Sequence, residues 1–222
     1  AVRAGADDFI AKPVRAEYLV SSVVSRAERY RTLRALIMRD GLTGLLNHSA
    51  IKERLQSEML QAQRNRSPLA LAMIDLDSFK KINDSYGHAT GDQVLRTLAR
   101  LLQQRLRRTD IVGRYGGEEF AVILTSTSLE DSLIALDRIR ATLSLTPIRS
   151  GKHTLHATVS IGAVQWHPDE HEHVHGMLLQ ADAALYRAKR MGRNRVEVHH
   201  LFDAEPMLDP NHDTGWGLLG LA

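Results

Sequence analysis

The feature that most constrains the fold is a short segment, residues 69–74, in which every side chain is apolar. A continuous apolar run of this length predicts a β-strand that is buried on both faces. Helical patterns, a hairpin signal and further apolar segments are interleaved with it along the chain. This arrangement favours one sheet with helices packed on it.

The periodicity and the turn signals predict the other elements. Helices are expected over residues 49–64, 79–83, 129–143 and 174–191, and a further helix is expected to open at Gly91-Asp92. Strands are expected over residues 111–115, 119–124, 155–164 and 196–199, and Gly116-Gly117 between the first two is typical of a hairpin turn. The main domain is therefore expected to cover residues 40–198, followed by a disordered tail over 199–222.

A long helical pattern precedes the main domain, and we assign residues 15–39 to this helix and linker. Its apolar residues recur at steps of three and four along one narrow seam: Leu19, Val23, Ala27, Tyr30, Leu33 and Ile37. Such a seam suits a linker that pairs with its copy in a dimer. It equally suits a single terminal helix packed on its own domain, and the sequence leaves both interpretations open.

Composition excludes several classes of function. The 222 residues carry a net charge of only +3, and 5% of them are aromatic, which is too few for a stacking nucleic-acid surface. No cysteine is present, so disulfides and thiolate metal sites are excluded. No apolar run approaches membrane-spanning length and no signal-peptide pattern opens the chain. We expect a cytoplasmic protein with no nucleic-acid partner and no membrane partner.

Two carboxylates, Asp75 and Asp77, follow the apolar run. Side chains two residues apart on a strand point to one face. Carboxylates at such a position suit a hard cation such as magnesium, which prefers oxygen ligands and shares them with substrate phosphates. The alternative is that both acids only cap a turn.

The predicted hairpin adds two more acids, Glu118 and Glu119, directly after its glycine pair. Adjacent acids at the start of an apolar strand are costly unless solvent or a cation meets them. If the hairpin lies beside the apolar strand, Glu118 can face Asp75 and complete a carboxylate cage.

Five blocks of this sequence, in order and at matching spacing, resemble the GGDEF family of diguanylate cyclases. The hairpin Arg114-Tyr115-Gly116-Gly117-Glu118-Glu119-Phe120 is similar to the family signature. The others are an Asp-x-Leu-Thr-Gly-Leu-x-Asn block at 40–47, the stretch 75–92, Ser-Ile-Gly at 160–162, and an Ala-Asp to Gly-Arg-Asn block at 181–194. Leu46 and His48 depart from the more usual Pro and Arg. The resemblance implies an α/β (α+β) fold like that of adenylyl cyclases and the polymerase palm, with a mixed, largely antiparallel central sheet and flanking helices.

The resemblance also implies roles for individual residues. Two magnesium ions, or manganese in their place, are expected on Asp75, the Leu76 carbonyl, Glu118 and Glu119. The expected catalytic residues are Glu118, which would accept the proton of the attacking hydroxyl, and Lys80. Substrate contacts are expected from Phe79, Lys80, Asn83, Asp92, Gly116, Gly117, Lys189 and Arg193, among which Lys80, Lys189 and Arg193 would hold phosphates.

Asn83 and Asp92 are expected to bind guanine, because an ionised Asp offers only acceptors to the ring N–H and the amino group. Asp92 also has the alternative of an ordinary helix N-cap. Arg107, Asp110 and Arg138 are similar to the family's product-inhibition site, although a cluster of arginines can simply favour a helix C-terminus.

Two further segments lie outside these blocks. His167, His171, His173 and His175 lie in a polar segment without a fixed ligand geometry, and a solvated loop is the better explanation. Residues 1–14 resemble the C-terminal end of a response-regulator receiver domain around its Lys-Pro turn. The receiver's phosphate acceptor would precede residue 1, so none is expected within this sequence.

The resulting prediction is an enzyme. A homodimer would condense two GTP molecules into cyclic di-GMP and two pyrophosphates, under product feedback inhibition, as the output domain of a response regulator. The alternative is a catalytically weak effector domain that only binds GTP or cyclic di-GMP.

Overall fold

A computed structural model describes residues 15–169 and 173–199, and the side chains of all of these except residues 30–36. The helices are α1 Ala16–Ile37, α2 His48–Asn65, α3 Phe79–Tyr86, α4 His88–Arg105, α5 Leu129–Leu145 and α6 Val174–Arg190. The strands are β1 Leu69–Leu76, β2 Ile111–Arg114, β3 Glu119–Thr125, β4 Ile148–Ser150, β5 His153–Leu155, β6 Val159–Gln165 and β7 Val196–Val198.

The predicted apolar strand lies at the centre of the main sheet, whose order is β2-β3-β1-β6-β7. Strand β1 pairs antiparallel with both β3 and β6, and only β7 joins in parallel, on β6. Every residue of β1 is buried. The expected mixed, largely antiparallel sheet with flanking helices is confirmed.

Alternate residues of β1 supply two hydrophobic cores, one on each face of the sheet. Ala70, Ala72, Ile74 and Leu76 pack with apolar residues of α3, α4 and α5. Leu69, Leu71 and Met73 pack with apolar residues of α2 and α6. Full burial of one Leu or Ile side chain stabilises the fold by about 1.5–3 kcal/mol. Because both faces of β1 are buried, apolar side chains are favoured at every position of its apolar run, and no polar alternation is seen.

Several predicted element boundaries are wrong. Helix α3 continues to Tyr86, past its predicted end at residue 83, and β4 was not predicted. Helix α4 begins at His88 and not at Gly91, because Gly87, with φ of +82°, ends α3 and immediately precedes α4. The strand predicted over 155–164 is interrupted: Leu155 ends β5, which pairs with β4 in a separate sheet, and β6 begins only at Val159. Its interruption follows from the length of β1, since Leu76 pairs with Val159 and no strand of the main sheet remains for the preceding residues.

The chain divides into two compact units between Arg39 and Asp40. The first contains α1, where Tyr18, Leu19, Val20, Val23 and Val24 are exposed, so the apolar surface there is broader than the predicted narrow seam. The side chains of Tyr30 and Leu33 lie outside the described residues. No helix in the described parts of the chain is long and apolar enough to cross a membrane.

The ends of the sequence lie largely outside the described residues. These include residues 1–14, the segment that resembles a receiver, and residues 200–222 of the predicted tail. His199, which was predicted both as the end of the last strand and as the start of the tail, is buried, and its N–H donates to the carbonyl of Ala163 at 2.8 Å. The packed chain therefore continues one residue past β7.

Candidate active site

The acid-bearing segments of the sequence meet at one end of the sheet. Asp75 lies opposite Glu119 in the antiparallel register of β1 and β3. The N–H of Leu76 donates to the carbonyl of Glu118 at 3.3 Å. The hairpin thus lies beside the buried strand, which is the arrangement that a shared cation site requires.

The Glu118 carboxyl group is electrostatically crowded. Burial raises the pKa of Glu118, the negative charge of Asp75 raises it further, Lys189 opposes the shift, and Glu119 adds to it. Like charges held close together disfavour the ionised form unless a cation neutralises them. A cation at this edge of the sheet would therefore favour the ionised form of Glu118.

One protein cation already lies at this edge. The ammonium Nζ of Lys189, on α6, is 2.9 Å from Oδ2 of Asp75, and both side chains are largely buried. The family resemblance assigns Lys189 to phosphate, whereas in this structure it neutralises Asp75. The charge of Lys189 also opposes the rise in the pKa of Glu118, so it acts on both acids.

The donors at this edge fit magnesium or manganese in chemistry, since carboxylates and a backbone carbonyl are all oxygen ligands. In the part of the chain that the structure describes, no three His, Asp or Glu side chains are arranged so that they could hold a metal by themselves. The predicted carboxylate cage is therefore not formed by side chains alone. Magnesium usually takes one or two carboxylates and completes its shell with phosphates and water, and the set Asp75, Leu76 carbonyl and Glu118 fits that mode.

The two glycines of the hairpin turn differ in their surroundings. A Cβ atom on Gly116 would lie 2.5 Å from Oε2 of Glu119, whereas one on Gly117 would meet nothing within 4 Å. Gly116 thus makes room for the Glu119 carboxylate, and Gly117 leaves the backbone open to a ligand.

An ion pair that the sequence did not predict supports this turn. Arg114 donates through Nε and Nη2 to the carbonyl of Gly117 at 3.1 and 2.6 Å, and its Nη1 lies 3.1 Å from Oδ2 of Asp40. Burial would raise the pKa of Asp40, but hydrogen bonds from Thr43 and the charge of Arg114 outweigh it and lower the pKa. Opposite charges in two of the matched blocks were the signal that could have revealed this pair.

Asn83 has the features of a binding residue. Its Oδ1 is buried without a hydrogen-bond partner, which is uncommon because an unpaired buried acceptor is costly. A Cβ atom on Gly91 would collide with this Oδ1. Gly91 on α4 therefore provides the space in which the Asn83 amide sits.

Asp92 lies on the same helix as Gly91, beyond its first turn. Because α4 begins at His88, the alternative of Asp92 as a helix N-cap is wrong. Its carboxylate is 46% exposed, and Oδ2 lies 3.9 Å from Nη2 of Arg96. The acid is accessible to a ligand.

The remaining predicted phosphate contacts are only partly brought together. Lys80 is exposed on the first turn of α3, and Arg193 is exposed after α6. The Phe79 side chain is committed to the core at 7% exposure, so only its backbone is left for a substrate. We call the end of the sheet where Asp75, Glu118 and Glu119 meet the acid edge. In the described residues, no contact joins Lys80 to it.

Asp75 and Asp77 have different surroundings, although both were expected on one face. Asp75 pairs with Lys189, whereas the Asp77 carboxylate accepts hydrogen bonds from Thr158, Ser160 and the backbone of Asn194. The structure therefore separates the two candidate ligands.

The three residues of the predicted product site lie near the C-terminal end of α4. Oδ2 of Asp110 accepts from the backbone N–H of Arg107 at 2.9 Å, and Oδ1 of Asp110 is buried without a hydrogen-bond partner. Nη2 of Arg138, on α5, donates to the carbonyl of Arg105 at 3.2 Å. Arg107 and Arg138 are exposed, and the contact of Arg138 with Arg105 brings α5 to the end of α4 that precedes Arg107.

The histidine-rich segment gives no metal site in the described residues. His173 precedes α6, and His175 lines a cavity of about 340 Å³ with Lys52, Val174 and Leu178. His171 lies outside the described residues, so the solvated-loop interpretation stays a prediction.

Comparison with protein families supports the resemblance inferred from the motifs. Residues 37–195 match the family described as diguanylate cyclase, GGDEF domain. The chain is 44% identical over 159 residues to diguanylate cyclase DgcP of Pseudomonas aeruginosa, covering 72% of this chain and 23% of that protein. It is 37% identical over 208 residues to response regulator PleD of Caulobacter vibrioides, covering 88% of this chain and 46% of that protein.

A solved structure shares the fold. The coiled coil and GGDEF domain of DgcB from Caulobacter crescentus, in complex with c-di-GMP, superimposes with a TM-score of 0.73 at 33% identity. The match covers 82% of this chain and 98% of that one. Of the two curated relatives, by contrast, this chain spans less than half of the length.

Proposed function

The chain belongs to the GGDEF family of diguanylate cyclases, and on this premise we propose that it condenses two GTP molecules into cyclic di-GMP and two pyrophosphates. The observation that carries the proposal is the convergence of Asp75, Glu118 and Glu119 beside an open glycine turn, with the pKa of Glu118 raised by burial and by its acidic neighbours. Such a site can concentrate cationic charge where a triphosphate is attacked.

Each of the two condensations has the same balance. The 3′-hydroxyl oxygen of one GTP forms a bond to the α-phosphorus of the other, the bond from that phosphorus to the β-bridging oxygen breaks, and pyrophosphate leaves. Glu118 accepts the hydroxyl proton. Magnesium held by Asp75, Leu76 and Glu118, with Glu119 in support, supplies charge stabilisation to the attacking and leaving oxygens when bound.

The chain's own cations and helix ends hold the substrate phosphates. Lys80, Lys189 and Arg193 would bind the β- and γ-phosphates. The N–H groups of Phe79 and Lys80 open α3, whose Ser78 cap makes no side-chain hydrogen bond to them. Helix N–H groups left without a cap favour an anion.

Guanine recognition falls to Asn83 and Asp92. The buried, unpaired Oδ1 of Asn83 can accept a hydrogen bond from the base, and the accessible Asp92 carboxylate can accept from the ring N–H and amino group. Adenine presents an acceptor at the ring position and would leave these oxygens unpaired, which lowers its affinity.

The assembly and regulation are also part of the proposal. Each subunit holds one GTP, so two subunits must face each other for one product. Cyclic di-GMP would bind at Arg107, Asp110 and Arg138, where guanidinium groups suit its phosphates and guanine edges. The similarity of this chain to the response regulator PleD supports an output role behind a receiver.

The competing function is a binding module without turnover. Incubation with GTP and magnesium, read by chromatography, separates the two, because only the enzyme forms cyclic di-GMP. Glu118→Gln should lower the rate by about a hundredfold or more, in the range seen when one electrostatic contact to a transition state is removed. Turnover of the variant near that of the parent would reject the assignment.

A further inference from the structure

Asp77 carries no assigned role, yet its carboxylate is among the most connected groups near the acid edge. The residue is 8% exposed. Its Oδ1 accepts from the Ser160 hydroxyl at 2.6 Å, and its Oδ2 accepts from the Thr158 hydroxyl at 2.7 Å and the Asn194 N–H at 3.0 Å. Three donors from two other segments therefore converge on one buried anion.

The segment that contributes the Asn194 contact has an unusual backbone. Arg193 and Asn194 both have left-handed φ angles, +63° and +46°, directly after Gly192 with φ of +111°. Two consecutive non-glycine residues in this region are strained, Arg more than Asn. Such a turn persists only where surrounding contacts hold it.

Hydrogen bonds to α6, to α5 and to Asp77 hold this turn. The N–H of Arg193 donates to the carbonyl of Ala188 at the end of α6, and Oδ1 of Asn194 accepts from Nη1 of Arg140 at 3.0 Å. The Asp77 carboxylate is the contact that joins the turn to the end of β1. The backbone N–H of Asp77 is itself fixed by the Thr158 carbonyl at 2.9 Å.

The position of Asp77 makes this connection relevant to the acid edge. Asp75, two residues earlier, pairs with Lys189 on the last turns of α6, and Asp77 holds the turn that follows α6. The end of β1 and the residue after it thus fix both the helix end that carries Lys189 and the turn that carries Arg193.

We propose that Asp77 is a positioning residue, whose buried carboxylate holds the Gly192-Arg193-Asn194 turn so that Arg193 faces the β- and γ-phosphates of the substrate. It is not a metal ligand, because hydroxyl and amide donors already surround both of its oxygens. The inference rests on the proposed function, since that function assigns Arg193 to the phosphates.

The test compares a triphosphate with a monophosphate. Asp77→Asn keeps the size of the side chain but removes the anion that accepts three hydrogen bonds. Binding of α,β-methylene GTP, which cannot release pyrophosphate at the blocked bond, and of GMP is measured by calorimetry with magnesium. We expect the variant to bind the triphosphate analogue about tenfold more weakly, the scale of one lost charge-assisted contact, and GMP within about twofold of the parent.

A structural control accompanies it. Asp84→Asn makes the same chemical change at an exposed position of α3 and should alter neither ligand. Amide hydrogen exchange without nucleotide should become faster at Asn194 in Asp77→Asn, while protection across β1 is kept. If Asp77→Asn does not fold, Thr158→Val takes its place, because it removes one of the hydrogen-bond donors to Asp77 at a half-buried site. It should weaken binding of the triphosphate analogue, but not of GMP, to a smaller degree.

The outcomes separate the two proposals. Equal weakening of GMP and the triphosphate analogue, or unchanged exchange at Asn194, would overturn the role of Asp77. A parent protein that binds the analogue no better than GMP would instead count against the proposed function, and the exchange measurement would still decide whether Asp77 holds the turn.

Discussion

Asp75 and Asp77 have the same side chain and lie two residues apart, but the partners that surround them differ. Both are buried carboxylates at one end of β1. Lys189 pairs with the first, and Thr158, Ser160 and Asn194 surround the second. Because these partners come from distant parts of the sequence, the strand pattern alone could not tell the two acids apart.

The residue-scale prediction concerns the pH dependence of metal binding. Glu118 must be ionised to bind a cation, and its pKa is raised by burial, Asp75 and Glu119. Metal affinity should therefore fall, as the pH is lowered, at a higher pH than for an ordinary glutamate. Glu119→Gln removes one of the like charges, so we expect the fall in metal affinity to occur at a lower pH in this variant. Manganese binding followed by electron paramagnetic resonance across pH measures this without nucleotide.

A second variant tests the direction in which the pH dependence of metal binding shifts. The charge of Lys189 lowers the pKa of Glu118. In Lys189→Met the fall in metal affinity should therefore occur at a higher pH, which is opposite to the change expected for Glu119→Gln. If the pH at which metal affinity falls moves in the same direction in both variants, or does not move, the pKa of Glu118 does not control metal binding.

The sequence names candidate site residues where a motif carries the chemistry, and the roles of these residues stay predictions. The acids of the hairpin and Asn83 were named from the sequence. The structure places the acids beside the end of β1 and leaves Oδ1 of Asn83 buried without a hydrogen-bond partner. Asp40 and Arg114 were quoted without a role, because an ion pair between segments this far apart requires the fold.

At the scale of elements, the junction between α3 and α4 shows why a boundary was misplaced. Gly91-Asp92 has the appearance of a helix start, whereas the actual break is at Gly87, whose positive φ favours glycine. Gly91 has another purpose, since α4 approaches Asn83 on α3 so closely there that a Cβ atom would collide with the amide. Close approach of two helices is a property of packing, not of local pattern.

The element-scale prediction uses this contact. Gly91→Ala should push the flexible end of Asn83 aside, and it adds a residue that a helix interior prefers by about 1 kcal/mol. The free energy of unfolding should therefore change by no more than about 1 kcal/mol, while GTP affinity should fall about tenfold because the guanine contact is displaced. Denaturant unfolding and calorimetric binding of GTP test the two halves.

A matched variant separates the collision from the general effect of alanine in a helix. A Cβ atom on Gly176, in α6, would meet nothing within 4 Å, so Gly176→Ala should leave GTP affinity unchanged. Loss of affinity in both variants, or in neither, would contradict the role given to Gly91.

At the scale of the whole molecule, the most informative part of the sequence was the apolar run, because a strand buried on both faces must be central and must be covered on both sides. The structure bears this out for β1. The break between Leu155 and Val159 in the strand predicted over 155–164 depends on where β1 ends, and so on pairing that no single segment encodes.

The first unit of the chain raises the remaining whole-molecule question. Helix α1 exposes several large apolar side chains, among them Val23 at 58%. Apolar patches exposed on a helix favour association, and a reaction that joins two GTP molecules from two subunits needs it. The proposed homodimer therefore predicts that activity depends on protein concentration.

The rate of cyclic di-GMP formation per subunit should rise with protein concentration and then level off. Val23→Glu places a charge in the apolar surface of α1, so at dilute concentration its rate per subunit should be about tenfold lower, and it should approach the parent's at high concentration. Leu60→Glu makes the same type of change at an exposed site of α2 and should leave the curve unchanged. Initial rates over a dilution series, with sedimentation at the same concentrations, measure both quantities. A constant rate per subunit in a protein that sediments as a monomer would mean that one subunit completes the reaction alone, and the face-to-face arrangement of two GTP molecules would have to be abandoned.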